Sequence, residues 1–366
     1  MGAGLTGTAV AWAASSRGLD VIVVEASGPG HRKGSSHGSA RIFRRAYPDP
    51  LYVRLTGEAG RLWRRLEAEA GLPLLSLTGE VDFGPSDVPE HMASLLATCG
   101  VDAQLLGGEE AAERWPGINF DGGPVLFHPE AGVLDPELAM TAMLRLATER
   151  GARVMFDTPA ERLTASADGS SAHVHTPLGT LTAPVVVVAA WAWAGPLLDS
   201  LLTLPPLTVT QQQVFHFAPA QSPAPPWPVV IHHDPHLNFY GLPGGRDGGA
   251  PDAFKLGEHS KGTVTTAAGR DFTVDPAARQ RATSFVAELL PGLEPVPLNE
   301  ATCLYTRTPS EDFILDRPGA GPFVVASPCS GHGAKFAPLT GEIIAGLAVG
   351  ESSADYRFSL AAHLAR

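Results

Sequence analysis

Three glycines at the start of the chain have the spacing of a loop that binds a pyrophosphate. Gly2, Gly4 and Gly7 form the pattern GxGxxG, followed by an alanine-rich segment and the apolar run VIVV at 21–24. In this pattern the first glycine permits a tight turn, the second lets the backbone approach the phosphates, and the third lets a helix pack closely on a strand. Glu25 ends the apolar run, where a carboxylate accepts hydrogen bonds from ribose hydroxyls. The pattern predicts a dinucleotide-binding βαβ unit, and it does not distinguish FAD from NAD.

A lysine within an apolar segment is the second group that could carry chemistry. If residues 254–259 are extended, Lys255, Gly257 and His259 share one face of the strand. Gly257 has no side chain between its two neighbours on that face, which permits the close approach of a flat ring. The apolar residues on either side of the lysine argue against a solvated surface position.

Two arginines in a segment rich in glycine and serine could recognise an anion. Arg41 and Arg44 each carry a planar guanidinium, which binds a carboxylate through two parallel hydrogen bonds. The alternative is a pair of surface arginines bound to nearby Asp49 or Glu58.

Hydrophobic patterns predict the elements that must position these residues. Asp135 and Pro136 have the residue types of an N-cap and a first helical position, so a helix should begin there. The loop Ser-Gly-His-Gly at 330–333 lies between a strand and a helix, which predicts a second phosphate or cofactor contact. The patterns predict helices at 8–16, 52–70, 136–150 and 338–349, and strands at 77–84, 153–156, 172–175, 185–190 and 323–326.

One region has a different composition from the rest. Between about Leu204 and Pro251 prolines, histidines and glycines dominate, which predicts a loop-rich region outside the nucleotide-binding unit. His232, His233 and His236 lie within it, but their spacing is not that of metal ligands on a helix or strand. We therefore expect a solvated loop here and no metal site.

Length and charge restrict the class of protein. The 366 residues suit two domains, and 44% hydrophobic with 17% charged residues describes a folded globular protein. Because 26 basic against 38 acidic residues give a net charge of −12, nucleic acid and anionic membranes are poor partners. Cys99, Cys303 and Cys329 are too few for a disulfide framework, so we expect a reducing, cytoplasmic compartment and no membrane span.

The βαβ unit lacks its first strand, because the chain begins at Met1. Leu5 and Thr6, which start the helix after the glycine turn, are expected to contact the cofactor with the glycines. A missing central strand leaves buried backbone groups unpaired, at roughly 1 to 3 kcal/mol each. Our hypothesis is that the natural chain extends further upstream.

Four segments together resemble the monomeric sarcosine oxidase and N-methyl-tryptophan oxidase family of the D-amino-acid oxidase superfamily, and the similarity runs nearly end to end. They are SSHGSARIFRRAY at 35–47, FKLGEH at 254–259, CLYTRT at 303–308 and SGHGAKF at 330–336. The resemblance implies an FAD cofactor attached by a thioether between Cys303 and the flavin ring. For Cys99 and Cys329 we expect inert thiols.

The resemblance also implies roles for the charged residues. Lys255 is expected to face the flavin through water and to activate dioxygen. Arg44 and Lys335 are expected to bind the carboxylate of the substrate, while Arg41 lies beside the flavin ring and tunes it. For Arg45 no role is expected.

Further positions correspond to residues that surround the flavin and the substrate in the family. Tyr240 and His259 correspond to residues that line the catalytic pocket, and His37 to a histidine near the flavin. The backbone from Gly331 through His332 and Gly333 to Lys335 is expected to face the flavin pyrimidine carbonyl, where negative charge accumulates on reduction.

The implied fold is α/β, with a Rossmann-like FAD domain and an interleaved substrate domain built on a mostly antiparallel sheet. We expect the FAD domain to comprise 1–77, 138–209 and 306–366, and the substrate domain 78–137 and 210–305. The implied protein is a monomer.

The implied activity is oxidation of a small secondary amino acid. Hydride transfer to a covalent flavin gives an imine that water hydrolyses, and dioxygen leaves as hydrogen peroxide. Sarcosine, other N-methyl amino acids, cyclic amines such as pipecolate or proline, and an aromatic imino acid all stay open as substrates. The alternatives are a dehydrogenase that does not use dioxygen and a truncated, non-catalytic flavoprotein relative.

Overall fold

Among the described residues, four α-helices begin at a residue whose side chain caps the first turn, Asp49, Asp135, Asp275 and Ser359. Asp135 accepts a hydrogen bond from the amide of Leu138 and Pro136 is the first helical residue, which confirms the predicted start. The computed structural model describes residues 1–85, 87–221, 226–259, 261–351 and 354–366. Within them the α-helices are α1 (Leu5–Ser16), α2 (Pro50–Ala70), α3 (Val88–Thr98), α4 (Gly108–Arg114), α5 (Pro136–Glu149), α6 (Ala194–Leu198), α7 (Pro276–Leu289), α8 (Ala337–Val349) and α9 (Leu360–Leu364).

The strands of the described residues are distributed along the whole chain. They are β1 (Ile22–Val24), β2 (Arg41–Phe43), β3 (Leu75–Leu77), β4 (Glu80–Phe83), β5 (Gln104–Leu106), β6 (Val125–His128), β7 (Gly132–Leu134), β8 (Arg153–Met155), β9 (Arg162–Ala165), β10 (Ala172–Thr176), β11 (Gly179–Ala183), β12 (Val186–Val188), β13 (Thr208–Pro219), β14 (Val229–His232), β15 (Phe239–Pro243), β16 (Phe254–Glu258), β17 (Thr263–Thr265), β18 (Leu293–Arg307), β19 (Ile314–Asp316) and β20 (Phe323–Ser327).

Short parallel pairings form the nucleotide-binding part. Strand β1 pairs in parallel with β8, and β12 pairs in parallel with β20. The backbone of Met1 and Gly2 lies between these pairs, because the Gly2 amide donates to Val24 and the Ala189 amide donates to Met1. Helix α1 is buried almost throughout and packs against α5 and α8. This arrangement agrees with the α/β class that the sequence predicts.

The largest sheet in the described part of the chain has nine strands and is mostly antiparallel, as predicted. Its order is β17-β13-β16-β15-β14-β4-β6-β5, with β18 pairing along β13. The pairing of β4 with β14 is its parallel exception. Helix α7 covers one face, where Phe285 stacks on Phe239. The domain boundaries stay a prediction.

The prediction of a loop-rich region between Leu204 and Pro251 was wrong, because this part of the chain contains β13, β14 and β15. The composition misled for two reasons. Pro219 and Pro243 lie at the ends of strands, where a missing amide donor breaks no ladder. Gly241 lies within β15 because the ring of Phe254 on β16 occupies the space of a side chain there.

The single strand predicted at 77–84 is two strands. Gly79 has φ +74°, a left-handed conformation that glycine adopts without strain, and it separates β3 from β4. Strand β3 belongs to a small sheet with β7 and β2. Strand β4 joins the large sheet, and its residues come to lie beside the cavity described next.

Candidate active site

A cavity of about 590 Å³ lies at the junction of the nucleotide-binding part and the large sheet. Its lining comes from all four segments that carried the family resemblance. The predicted site residues that do not line it are those of the glycine turn and its acidic residue, Gly2, Gly4, Thr6, Gly7 and Glu25. The predicted site residues that line it are Leu5, His37, Arg41, Arg44, Tyr240, Lys255, His259, Cys303, Gly331, His332, Gly333 and Lys335.

The glycine turn is packed as a phosphate-binding loop requires. Gly2 has φ +93°, and a Cβ atom on Gly7 would lie only 1.8 Å from the carbonyl oxygen of Gly2. The carboxylate of Glu25 accepts the Ala3 amide at 2.7 Å, so it is fixed at the end of β1 beside the turn. Gly4 provides no side-chain cap for α1, and the Leu5 amide at the helix start donates to the Ser36 hydroxyl at 3.0 Å.

Cys303 is the cysteine that the fold brings to the cavity wall together with the charged residues. It lies on β18 opposite Gln212, and its Sγ is 3.7 Å from the carbonyl oxygen of Ser35. Cys329 also reaches the cavity, but its Sγ accepts the Thr306 amide and burial raises its pKa to about 11. A raised pKa keeps Cys329 as a thiol at neutral pH, which disfavours its reaction as a nucleophile.

Lys255 and Arg41 form a cationic pair at one side of the cavity. The ammonium of Lys255 is buried and donates to the Ala40 carbonyl at 3.2 Å. Arg41 donates to the same carbonyl at 2.8 Å and to the carbonyls of Ser35 and His37. Burial, and then Arg41, lower the pKa of Lys255 to about 8. The cation thus loses its proton readily at mildly alkaline pH.

Gly257 makes room for a protein ring. A Cβ atom on Gly257 would lie 2.5 Å from the hydroxyl oxygen of Tyr240, so the space that the sequence analysis reserved for a flat ligand is filled by that tyrosine. Tyr240 and Tyr305 are near each other, and both line the cavity. Burial lowers the pKa of neighbouring His259 to about 4, which keeps its imidazole neutral.

Arg44 forms ion pairs with two carboxyl groups. Its Nη1 lies 3.5 Å from Glu80 Oε1 and 3.3 Å from Asp82 Oδ1, and its guanidinium lies 5.3 Å from the centre of the Tyr47 ring. The predicted surface alternative, with Asp49 or Glu58, does not occur. The Arg44 side chain keeps 19% exposure and lines the cavity.

The two carboxyl groups behind Arg44 are fully buried. Burial, and then the facing Asp82, raise the pKa of Glu80 well above its ordinary value, and burial also raises the pKa of Asp82. A proton on Glu80 that is donated to Asp82 would satisfy oxygens that have no other partner among the described residues. Asp82 Oδ1 also accepts a hydrogen bond at 2.6 Å from Nε2 of His233.

Lys335 lines the cavity together with Arg44. Its ammonium donates to the Tyr47 hydroxyl and to the His332 carbonyl, both at 3.0 Å. Burial, and then Arg44, lower the pKa of Lys335 to about 7. Burial, and then Lys335, lower the pKa of His332 to about 3.

The Ser-Gly-His-Gly loop has the predicted position between a strand and a helix. Gly331 has φ +83°, and a Cβ atom there would lie 2.4 Å from the Tyr305 ring. A Cβ on Gly333 would lie 1.6 Å from the Pro328 carbonyl oxygen. A short 3₁₀ turn at Gly333–Phe336 then leads into α8.

The sequence analysis missed several groups around the cavity. Glu80 and Asp82 alternate with apolar residues as in a strand with one solvated face, so the pattern gave no signal of burial. His232 and His233 were predicted in a solvated loop, which was wrong. His232 is buried at the end of β14, with Nδ1 2.8 Å from the Leu237 carbonyl, and His233 faces Asp82. Asp247 was also missed.

The residues that the structure describes contain neither a cluster arranged to bind a metal ion nor a helix suited to cross a membrane. Within 1–85, 87–221, 226–259, 261–351 and 354–366, no group of three or more metal-binding side chains is suitably arranged. None of the helices in those ranges combines the length and the apolar character needed to cross a bilayer.

Comparison with known proteins identifies similar chains. The family model described as DAO, FAD dependent oxidoreductase, matches residues 1–347. Monomeric sarcosine oxidase of Streptomyces avermitilis is 36% identical over 362 residues, covering 95% of this chain and 92% of the relative. N-methyl-L-tryptophan oxidase of Yersinia pestis is 32% identical over 354 residues, covering 94% and 92%. The structure of NikD, an unusual amino acid oxidase essential for nikkomycin biosynthesis, has a TM-score of 0.84 at 25% identity, covering 97% and 94%.

Proposed function

The chain belongs to the DAO family of FAD-dependent oxidoreductases, and from this premise we propose that it oxidises a small secondary amino acid, N-methyl or cyclic, and passes the electrons to dioxygen. One observation carries the proposal. A thiol, a buried lysine and two cations that suit a carboxylate, Cys303, Lys255, Arg44 and Lys335, line one cavity. The printed activities of the relatives, on sarcosine and N-methyl-L-tryptophan, support the class of substrate.

The residues around the cavity fit FAD. The glycine turn and Glu25 suit its pyrophosphate and ribose, and the buried Nε2 of His37 has no partner among the described residues, as expected of a group that contacts a cofactor. Cys303 would hold the flavin through a thioether. When bound, FAD accepts a hydride from the substrate and passes two electrons to dioxygen.

Arg44 and Lys335 would bind the carboxylate of the substrate. The guanidinium presents nitrogens that Glu80 and Asp82 do not engage, and the ammonium of Lys335 is fixed by Tyr47. The same cations disfavour a second positive charge nearby, so they lower the pKa of the substrate amine and favour its neutral form. The neutral amine is the form that can lose a hydride from the adjacent carbon.

Lys255 would act on dioxygen. Dioxygen takes up two electrons and two protons and leaves as hydrogen peroxide, and the first electron gives it a negative charge. A preorganised ammonium stabilises that charge without reorganisation. The oxidised substrate leaves as an imine, which water hydrolyses.

The attachment of the cofactor is tested by acid precipitation. We expect the yellow colour to stay with the pellet of the native chain, and to pass into the supernatant of Cys303→Ser. Cys329→Ser is the matched control, because it changes the other buried thiol at the cavity and should keep the coloured pellet. Colour that resists acid in Cys303→Ser contradicts the thioether.

The activity is tested by peroxide release in air over a panel of sarcosine, other N-methyl amino acids, pipecolate and proline. We expect release with members of this panel and none with the matching primary amines. Turnover with an artificial electron acceptor, but without peroxide, would establish the dehydrogenase alternative. A yellow protein with no turnover in either assay would establish the non-catalytic alternative.

A further inference from the structure

Asp247 faces the cavity from the loop between β15 and β16 and has no part in the function proposed so far. Its carboxylate accepts hydrogen bonds from the amide of Ser39, at 2.9 Å, and from the Ser39 hydroxyl. The Asp247 amide donates back to that hydroxyl at 3.0 Å, and its carbonyl accepts from Asn299. Asp247 is therefore fixed from several sides.

The carboxylate of Asp247 lies among the cations of the proposed dioxygen site. Lys255 donates to the carbonyl of Ala40, the residue after Ser39. A Cβ atom on Gly38 would lie 2.9 Å from Asp247 Oδ2 and 3.4 Å from Arg41 Nη1. One negative and two positive side chains thus gather around residues 38–41.

We propose that Asp247 is a positioning residue for the reaction with dioxygen: its negative charge keeps Lys255 protonated although Arg41 lies beside it. This inference rests on the proposed function, which assigns the reduction of dioxygen to Lys255. Asp247 acts through the lysine and need not touch dioxygen or the substrate itself.

The groups that face Lys255 come from several elements, and they favour this role. Burial, and then Arg41, lower the pKa of Lys255 to about 8, and Asp247 is the foremost group that raises it. His216 lies on β13 directly opposite Lys255. Burial lowers the pKa of His216 to about 4, so its imidazole is neutral at neutral pH. The remaining neighbours are Arg41 on β2, Cys303 on β18, Glu137 on α5 and His37 in the adjoining loop.

The effect is reciprocal. Burial opposes ionisation of Asp247, yet Lys255 and the hydrogen bonds from Ser39 lower its pKa to about 2. The pair is therefore charged at neutral pH. Without the carboxylate, the foremost group that opposes burial and Arg41 is lost, and the pKa of Lys255 falls below about 8.

The chain is suited to a direct measurement, because it contains four lysines, at positions 33, 255, 261 and 335. Holoenzyme labelled with ¹³C at the ε carbon of lysine gives few NMR signals, and Lys255→Met assigns the signal of interest. In Asp247→Asn we expect the titration midpoint of Lys255 to fall by about one pH unit, a tenfold change in the ratio of charged to neutral lysine.

The kinetic counterpart separates the two half-reactions. In stopped flow, the reaction of reduced Asp247→Asn with dioxygen should slow by roughly five- to tenfold at pH 8 and by less than about twofold at pH 6, where the lysine is protonated again. Anaerobic reduction by substrate should stay within about twofold of the native rate, because Asp247 does not contact the carboxylate site.

Ser39→Ala is the matched control for a merely structural role. It removes the hydroxyl that joins the two loops and keeps the charge of Asp247, so the titration of Lys255 should not move. Asp247→Glu should restore the native titration. If Asp247→Asn fails to retain its cofactor, Asp247→Ser removes the same charge and the same criteria apply.

The outcomes separate this inference from the proposed function. A Lys255 titration that Asp247→Asn leaves unchanged, or that Ser39→Ala shifts equally, overturns the inference. A native reduced enzyme that does not react with dioxygen contradicts the proposed function, and the NMR titration then still decides whether Asp247 sets the charge of Lys255.

Discussion

The two residues proposed to bind the carboxylate differ in how their charges depend on pH. A guanidinium stays protonated at all pH values of interest, and the acidic groups beside Arg44 raise its pKa further. Lys335 is different, because burial lowers its pKa to about 7. One of the two cations is permanent and the other is lost as the pH rises.

This difference predicts how a carboxylate without an amine should bind. The affinity of the holoenzyme for 2-furoate should fall by about three- to tenfold between pH 6 and pH 9, as Lys335 loses its proton. The fall should begin near pH 7, the pKa of Lys335 without ligand, and should end at the higher pKa that the bound anion gives this lysine. Titration followed by flavin absorbance measures it.

Matched variants distinguish the two cations. Lys335→Met should weaken binding of 2-furoate at pH 6 and abolish its pH dependence. Arg44→Met should weaken binding at every pH and keep a pH dependence, moved to higher pH because Arg44 no longer lowers the pKa of Lys335. The uncharged 2-furamide should bind independently of pH in all three proteins. A slope that survives in Lys335→Met would show that another group titrates.

At the scale of single residues, the sequence indicated site residues that belong to a local motif and missed those that reach the site only through contacts with distant parts of the chain. Spacing alone indicated the glycine turn, and the motif around Cys303 indicated a thiol at the cavity. Glu80 and Asp82 could not be found in this way, because a polar face of a strand looks the same whether it meets water or Arg44. Their burial comes with contacts to residues distant in sequence, Arg44 and His233.

At the scale of elements, glycines in the large sheet make space for rings from neighbouring strands. Gly241 on β15 faces the Phe254 ring of β16, and Gly257 on β16 faces the Tyr240 ring of β15. On each strand, a ring from the other strand therefore fills the space that the glycine leaves. Composition predicted loops here because glycine is depleted in ordinary strands, where no ring fills that space.

Filling one of these spaces should destabilise the sheet. A Cβ atom on Gly241 would lie 2.3 Å from the Phe254 ring, so Gly241→Ala should cost about 1 to 3 kcal/mol of unfolding free energy. In Gly195→Ala the new Cβ meets only Asp199 Oδ1, at 3.8 Å, within α6, and the change should stay within about 0.5 kcal/mol. Urea denaturation compares them, and equal costs would contradict the filling of this space by a ring.

At the scale of the whole molecule, one buried acid joins the end of the chain to its first third. Asp312 accepts hydrogen bonds from Arg357, Arg366 and the hydroxyl of Tyr52 on α2. Burial opposes ionisation of Asp312, but the two arginines outweigh it and its pKa is lowered. The C-terminal segment is thus held by an ionised carboxylate.

Stability should therefore depend on the charge of Asp312. A lowered pKa stabilises the fold at pH values above the unfolded pKa, about 3.9, and this stabilisation is lost as the pH falls through the folded value. Asp312→Asn should cost about 1 to 3 kcal/mol at pH 7, and the difference should shrink below about pH 4. Glu113→Gln, at an exposed acid, should cost little at either pH. A difference that persists in acid would point to packing instead of charge.

The guanidinium of Arg41 closes the segment from Ser35 to Ala40 by binding three of its carbonyls. These contacts join the segment from within the polypeptide. The sulfur of Cys303 lies against the first of these carbonyls. If Cys303 captures the flavin as proposed, the entering isoalloxazine would meet a segment already joined by these contacts, and the rate of capture should depend mainly on how the ring enters.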